Sequence, residues 1–191
     1  MNNDTAHTPV FHMSHPASSW AELSIEPDMS GIDIPEVFAV DIDVSMAIHD
    51  IHDRPLDEDH ARLVAAEVWR DQMSACAKDG AHGFELLRES AKNPRCPLCG
   101  HTMSAGWTDA VFRVECTHHA HEPIPGEPDL EMVSYALIDI QIIDPDNLDG
   151  FDESGDVYIS AHTTRVAREL AHRVVERCAE AIRASVADED D

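Results

Sequence analysis

Apolar residues recur along this chain with two different periods, and the period separates its strands from its helices. Over residues 36–44, Phe38, Val40, Ile42 and Val44 alternate with Val37, Ala39, Asp41 and Asp43, which predicts a strand with one buried face and one solvated face. The longest strand-like run covers residues 130–143. Leu130, Met132, Ala136, Ile138, Ile140 and Ile142 line one side of it, and Val133, Tyr135, Leu137 and Ile143 make the other side largely apolar as well. Such a strand is expected at the centre of a sheet, covered from both sides.

Helical spacing marks two longer stretches. Asp57 is placed as an N-cap, with the acids Glu58 and Asp59 favourable at the positive end of the helix dipole. Leu63, Ala66, Trp69, Met73 and Cys76 then fall on one face expected to be buried, so Cys76 reads as a core thiol. A short second helix is expected over residues 84–91, after Gly80 and Gly83. Over residues 162–186, Val166, Leu170, Val174, Cys178, Ile182 and Val186 recur at every fourth position, widened by Ala167, Ala171, Val175 and Ala179. This stripe drifts around the cylinder, which predicts a helix packed across a sheet and not a coiled coil. Its five arginines, Arg165, Arg168, Arg173, Arg177 and Arg183, alternate with Glu169, Glu176 and Glu180, a pattern suited to intrahelical ion pairs.

The remaining segments are polar. Residues 1–33 hold Pro9, Pro16 and Pro27 with no sustained period and read as a flexible leader, in which Ser19-Trp20-Ala21-Glu22 has the form of a capping box for a short helix. Residues 144–156 concentrate six acids but miss the calcium-loop register, so an acidic loop leading to a strand at Val157-Tyr158-Ile159-Ser160 is expected. Together these elements predict an α+β fold, a small sheet of three or more strands covered by long helices. The expected divisions are a leader at 1–33, a strand-and-helix part at 34–92, an insertion at 93–122, a strand-strand-helix part at 123–187 and an acidic tail at 188–191.

Residues 93–122 break this pattern and bring in metal chemistry. Cys96-Pro97-Leu98-Cys99-Gly100-His101 is followed by Cys116-Thr117-His118-His119-Ala120-His121, giving C-x2-C-x16-C-x2-H when His119 is taken as the last position. Paired ligands on two tight turns suit a structural Zn²⁺ site, because the ion takes four N or S donors tetrahedrally and each turn supplies one edge of the tetrahedron. Gly100 supplies the backbone freedom that such a turn needs after its second cysteine. Between the pairs, residues 101–107 and 111–116 are expected to form a hairpin turning at Thr108-Asp109-Ala110.

With its Cys-Pro-x-Cys-Gly turn and its intervening hairpin, the stretch resembles the zinc ribbon family. That resemblance implies a zinc-ribbon-like module inserted in the domain, with Cys96, Cys99, Cys116 and His119 holding a structural Zn²⁺. A common ribbon has a fourth cysteine where His119 stands here. His118, His121 and His101 therefore compete with His119 for the fourth position.

Charge narrows the function classes. The 191 residues include 38 acids against 13 lysines and arginines, a formal net charge of −25, and aromatic residues make up only 5%, so the core must be aliphatic. Such a chain repels nucleic acid and anionic membrane unless a basic face is segregated, and the expected partner is a protein, a basic one by charge complementarity. No apolar run reaches membrane-spanning length and no signal peptide is evident. A reduced, cytoplasmic setting is expected, which suits cysteines kept as metal-binding thiolates.

One further cluster invites a catalytic reading. His49-Asp50-Ile51-His52-Asp53, downstream of Asp41 and Asp43, is similar in its doubled His-Asp to the metal-dependent phosphohydrolases. That reading needs several of these side chains to meet at one open metal site; the simpler expectation is a polar loop before a helix. The function expected is a non-enzymatic acidic zinc-binding interaction or regulatory protein. The alternatives are a nucleic-acid-associated zinc ribbon protein and a His/Asp metal-dependent hydrolase.

Overall fold

The computed structural model describes residues 10–13, 18–79, 93–116, 121–143 and 159–187, with residues 10–13, 72–79 and 185–187 described through their backbone alone. Its elements, in chain order, are β1 (Val10–Met13), β2 (Trp20–Ser24), β3 (Phe38–Asp50), α1 (Glu58–Asp79), β4 (Ser104–Thr108), β5 (Val111–Glu115), β6 (Glu122–Ile124), β7 (Glu127–Ile142) and α2 (Ala161–Ala187). All seven described strands belong to one antiparallel sheet in the order β1-β2-β3-β7-β5-β4, with β6 also paired to β7.

The long run at 130–143 becomes β7, and it is central as its composition requires. β3 pairs along it from Phe38↔Ile142 to Asp50↔Leu130, while β5 and β6 share its other edge. Strand alternation sorts the side chains. Phe38, Val44, Met46 and Ile48 of β3 join Leu130, Met132, Ala136, Ile138, Ile140 and Ile142 of β7 in one buried cluster. α1 packs on β2 and β3, and α2 packs on β5, β7 and α1. Val64, Ala65 and Trp69 of α1 and Ala167, Leu170, Val174, Cys178 and Ile182 of α2 enter the same cluster.

The other face of the sheet is only partly shielded. Val133 is buried, yet Asp41 and Asp43 are exposed and Ile143 retains 54% of its accessible surface, so β7 is not covered on both sides along its whole length. Asp41 lies directly opposite Asp139, a like-charge pairing that costs stability. Arg113 on β5 offsets it by donating to both carboxylate oxygens of Asp139, at 2.9 and 2.7 Å.

Both helix starts follow their local chemistry. The backbone N–H of His60 donates to Asp57 Oδ1 at 2.9 Å, so Asp57 caps α1, and that of Thr163 donates to Ser160 Oγ at 3.1 Å at the start of α2. Expectation and structure part along α1. Leu63 and Ala66 are exposed, and the buried stripe runs through Ala61, Val64, Ala65 and Trp69 instead. This is the same i, i+3, i+4 pattern rotated by about one residue, and Leu63 sits on its solvent edge. The side chains of Met73 and Cys76, the helix expected at 84–91 and the acidic loop at 144–156 lie outside the described residues, as do Val157 and Tyr158.

The expected architecture needs correction. An α+β fold with a small sheet covered by long helices and an inserted zinc ribbon-like hairpin is not what forms; a seven-stranded antiparallel sheet dominates, and two helices accompany it among the described residues. Two segments account for the difference. Trp20–Ser24, within the stretch read as a leader, is β2 and not a capped helix, because Ala21 and Leu23 alternate inward onto the core. The hairpin at 104–115 is not a separate insertion. Phe112 and Val114 are 1% and 0% exposed and lie beside Ile140 and Ile138, so β5 completes the main sheet and carries β4 with it.

The rotated α1 stripe makes a direct comparison possible. Leu63 is 72% exposed and Trp69 is 4% exposed. Leu63→Ala should change unfolding free energy by less than about 0.5 kcal/mol, while Trp69→Ala should cost about 3 to 5 kcal/mol, both read from denaturant melts. Equal losses at the two positions would contradict this placement of the helix.

Candidate metal centre

The first knuckle is built by backbone hydrogen bonds around Gly100. Arg95 and Thr102 form an isolated antiparallel bridge, the Cys96 N–H donates to the His101 carbonyl at 2.8 Å, the Gly100 N–H donates back to the Cys96 carbonyl at 2.9 Å, and the Met103 N–H donates to the Pro94 carbonyl at 2.9 Å. Gly100 has φ +73°, in the left-handed region that disfavours a Cβ. Leu98 and Met103 point into the core at 0% and 1% exposure, which anchors the turn to the sheet through apolar contacts.

Cys116 directly follows the end of β5. The Cys116 N–H donates to the Ala136 carbonyl at 2.9 Å, extending the β5 ladder by one step. β5 and β6 then run along the same edge of β7 in the same direction, but out of a common register. Glu115 faces Leu137 and Glu122 faces Met132, so seven steps on one chain match five on the other, and two residues are extra.

The Cys96–Cys99 turn and the end of β5 bring Cys96, Cys99 and Cys116 together. Their sulfurs all lie within 4.8 Å of one another, and the Sγ atoms of Cys99 and Cys116 are 3.4 Å apart. Cys96 and Cys116 are buried and Cys99 is half-buried. Hydrogen bonds from the Cys116 and Cys96 thiols, with further ones from the backbone and ring of His101, hold the Cys99 thiol well below its ordinary pKa. The same contacts to Cys116 and Cys99 push Cys96 well above its ordinary value. Three sulfurs this close can all be thiolates only beside a cation, which is the electrostatic case for a metal.

Of the four histidines that compete for the fourth position, His101 and His121 are described. His101 contacts Cys99 and His121 Nδ1 lies 2.9 Å from Glu131 Oε1, but neither imidazole joins the cysteines within the shared 4.8 Å span. His118 and His119 lie outside the described residues. The cysteine trio is the one cluster among the described residues with this ligand geometry.

The His/Asp residues are placed differently. Asp41 and Asp43 are exposed on the sheet, where Asp43 Oδ1 accepts from the Ser45 hydroxyl at 2.9 Å. Asp50, 5% exposed, is a turn organiser that sequence reading missed. It accepts from the backbone N–H groups of His52 and Arg54 and from the Arg54 guanidinium at 2.8 to 3.2 Å, which holds its carboxyl well below the usual range. His49 contacts Asp53 and Glu131, and His52 is 3.6 Å from Asp129. The two histidines pair off with carboxylates, Asp43 and Asp50 bond Ser45 and Arg54, and these side chains do not gather around a common point.

Comparison with protein-family models, with curated proteins and with solved structures gives no match for this chain. The likeness to zinc ribbons therefore rests on the knuckle residues themselves.

Open space surrounds the position that a Gly100 Cβ would take, so an added methyl group meets no neighbour and acts only through the backbone. Gly100→Ala should cost about 1 to 2 kcal/mol through its left-handed φ and weaken metal binding by about tenfold, measured by competition with a chromogenic chelator. Unchanged affinity would mean that the turn does not preorganise the ligands.

Proposed function

We infer that this chain is a non-enzymatic, acidic zinc-binding interaction protein, whose metal is structural and whose charge selects a protein partner with a basic surface. The observation that carries the reading is the convergence of Cys96, Cys99 and Cys116 from the Cys96–Cys99 turn and the end of β5, with two of these cysteines buried. Buried thiolates exclude water from the metal, and a four-ligand site closed by His119 leaves no coordination position for substrate. A role in folding and presentation follows from that chemistry. The net charge of −25 gives the direction of electrostatic steering toward a cationic partner.

One further observation favours a binder over an enzyme. Asp41, Asp43, His49, His52 and Asp53 are spread over β3 and the loop after it, with partners of their own. No described helix is long and apolar enough to cross a membrane.

Elemental analysis of the purified chain should give one zinc per molecule, and Cys99→Ser should lower that content. Absence of bound zinc, or content unaffected by Cys99→Ser, would remove the basis of the proposal. Chelation should loosen residues 93–122 in hydrogen exchange while the amides around Val174 stay protected.

Nucleic acid provides the opposing test. Binding to random duplex DNA at physiological salt should be undetectable, because counterion release needs clustered cations. Tight, salt-sensitive binding that disappears when Arg168 and Arg173 are both changed to Glu would replace the protein-partner reading with a nucleic-acid one.

A further inference from the structure

Away from the cysteines, the start of β7 carries Glu127, Asp129 and Glu131 at alternate positions, and each meets a histidine from another element. His60 of α1 is 3.2 Å from Glu127, His52 of the loop after β3 is 3.6 Å from Asp129, and His49 of β3 is 3.2 Å from Glu131. His49 differs from the other two in burial and in partners. Its side chain is 14% exposed, whereas those of His52 and His60 are 57% and 51% exposed.

Both ring nitrogens of His49 face carboxylates. Nδ1 is 3.2 Å from Glu131 Oε1, and Nε2 is 3.0 Å from Asp53 Oδ1. A neutral imidazole has one N–H donor and one acceptor nitrogen, so in either tautomer one nitrogen lone pair would point at a carboxylate oxygen. Only the imidazolium donates to both. Trp20 adds a third partner, its ring stacked on His49 with centroids 4.2 Å apart and planes 25° from parallel. The face of an indole is electron-rich and attracts a stacked cation.

We propose that His49 is held as a doubly protonated imidazolium and acts as a pH-responsive clasp joining β2, the loop at 51–57 and β7. Among the described residues, every element packed against it contributes a group. β2 brings Trp20, with Glu22 on the same side of that strand; the loop brings Asp53; β7 brings Glu131, whose Oε1 also bonds His121 Nδ1 at 2.9 Å, just before β6. The neighbouring Arg54 is engaged by Asp50 and Asp129. The contacts that His49 itself makes, to Trp20, Asp53 and Glu131, involve none of Cys96, Cys99 or Cys116; Glu131 alone also meets His121.

Electrostatics agree in sign. Burial, the largest single influence, lowers the His49 pKa, but the hydrogen bonds and charges of Asp53 and Glu131 together outweigh it and leave the pKa above 6.5. The stabilisation is therefore complete below about pH 6.5, the unfolded value, and is lost as pH rises through the folded value. Glu131 works in the opposite sense. Hydrogen bonds to His121 and then His49 lower its pKa from 4.5, so its share is present above that value and is lost as pH falls through the folded one. The contact is complete between these limits, and raising pH through the folded His49 value opens it.

Nitrogen-resolved NMR of the histidine rings in the intact chain tests the charge state. His49 should show both ring nitrogens protonated below its titration midpoint, and that midpoint should lie above pH 6.5. A single protonated nitrogen throughout, or a midpoint at or below 6.5, overturns the proposal. Tryptophan emission tests the stack, because an imidazolium quenches a stacked indole more strongly than neutral imidazole does. Emission should rise with the same midpoint and lose that step in both Trp20→Phe and His49→Gln; a step that persists in Trp20→Phe would arise at Trp69 or Trp107 and count against the clasp.

Discussion

The antiparallel pairing of β3 with β7 is the constraint on which the other features depend. Its register from Phe38↔Ile142 to Asp50↔Leu130 is unbroken, and a slip of one residue would turn every side chain of β3 to the opposite face. The cost of such a slip is large because Val44, Met46 and Ile48 would exchange places with Ser45, Ala47 and the paired His49. The same register decides where chemistry occurs. It sets His49 beside Glu131 at one end of the strands, and it presents the Ala136 carbonyl to the Cys116 N–H on the far edge of β7.

Local features were legible in the sequence because their partners lie within a few residues. The Cys96–Cys99 turn, the left-handed position of Gly100, the cap at Asp57 and the stripe of α2 are all determined within about a helical turn or a tight loop. β3 and β7 were legible as strands for the same reason, since alternation needs no knowledge of the neighbouring strand. What the sequence leaves open is which strand lies beside which. β2 and the 104–115 hairpin join the main sheet through pairings with residues far along the chain, so a broad sheet reads as a small one with a leader and an insertion. The misplaced α1 face has a simpler origin: Leu63 is the most apolar residue near the start of the helix, but Ala61, Val64 and Ala65 fit the space beside the sheet.

The His/Asp stretch shows how similar residue types serve different ends. Sequence proximity groups Asp50, His52 and Asp53 with His49, yet the fold gives each a separate task. Asp50 turns inward and collects the donors of the loop, with Asp53 at φ +57° completing the reversal. His49 stays on the strand and meets Glu131, 82 residues away in sequence. A partner at that separation leaves no local signal, so the Trp20–His49–Glu131 contact could be found only from the strand register.

The relation between the metal knuckles and the sheet limits what a metal contributes here. A free-standing module with its ligands on two loops has little core and depends on the ion for its fold. In this chain the same ligands sit on elements that are anchored independently: Leu98 and Met103 are buried, Phe112 and Val114 belong to the central cluster, and β6 returns to β7 after the two-residue register change. The sheet therefore positions Cys116, and the apolar anchors bring Cys96 and Cys99 to it. A metal bound there would cross-link two segments already held by the core, so its contribution to folding would fall on the order of the Cys96–Cys99 turn and the chain around Cys116, and less on the sheet beneath them.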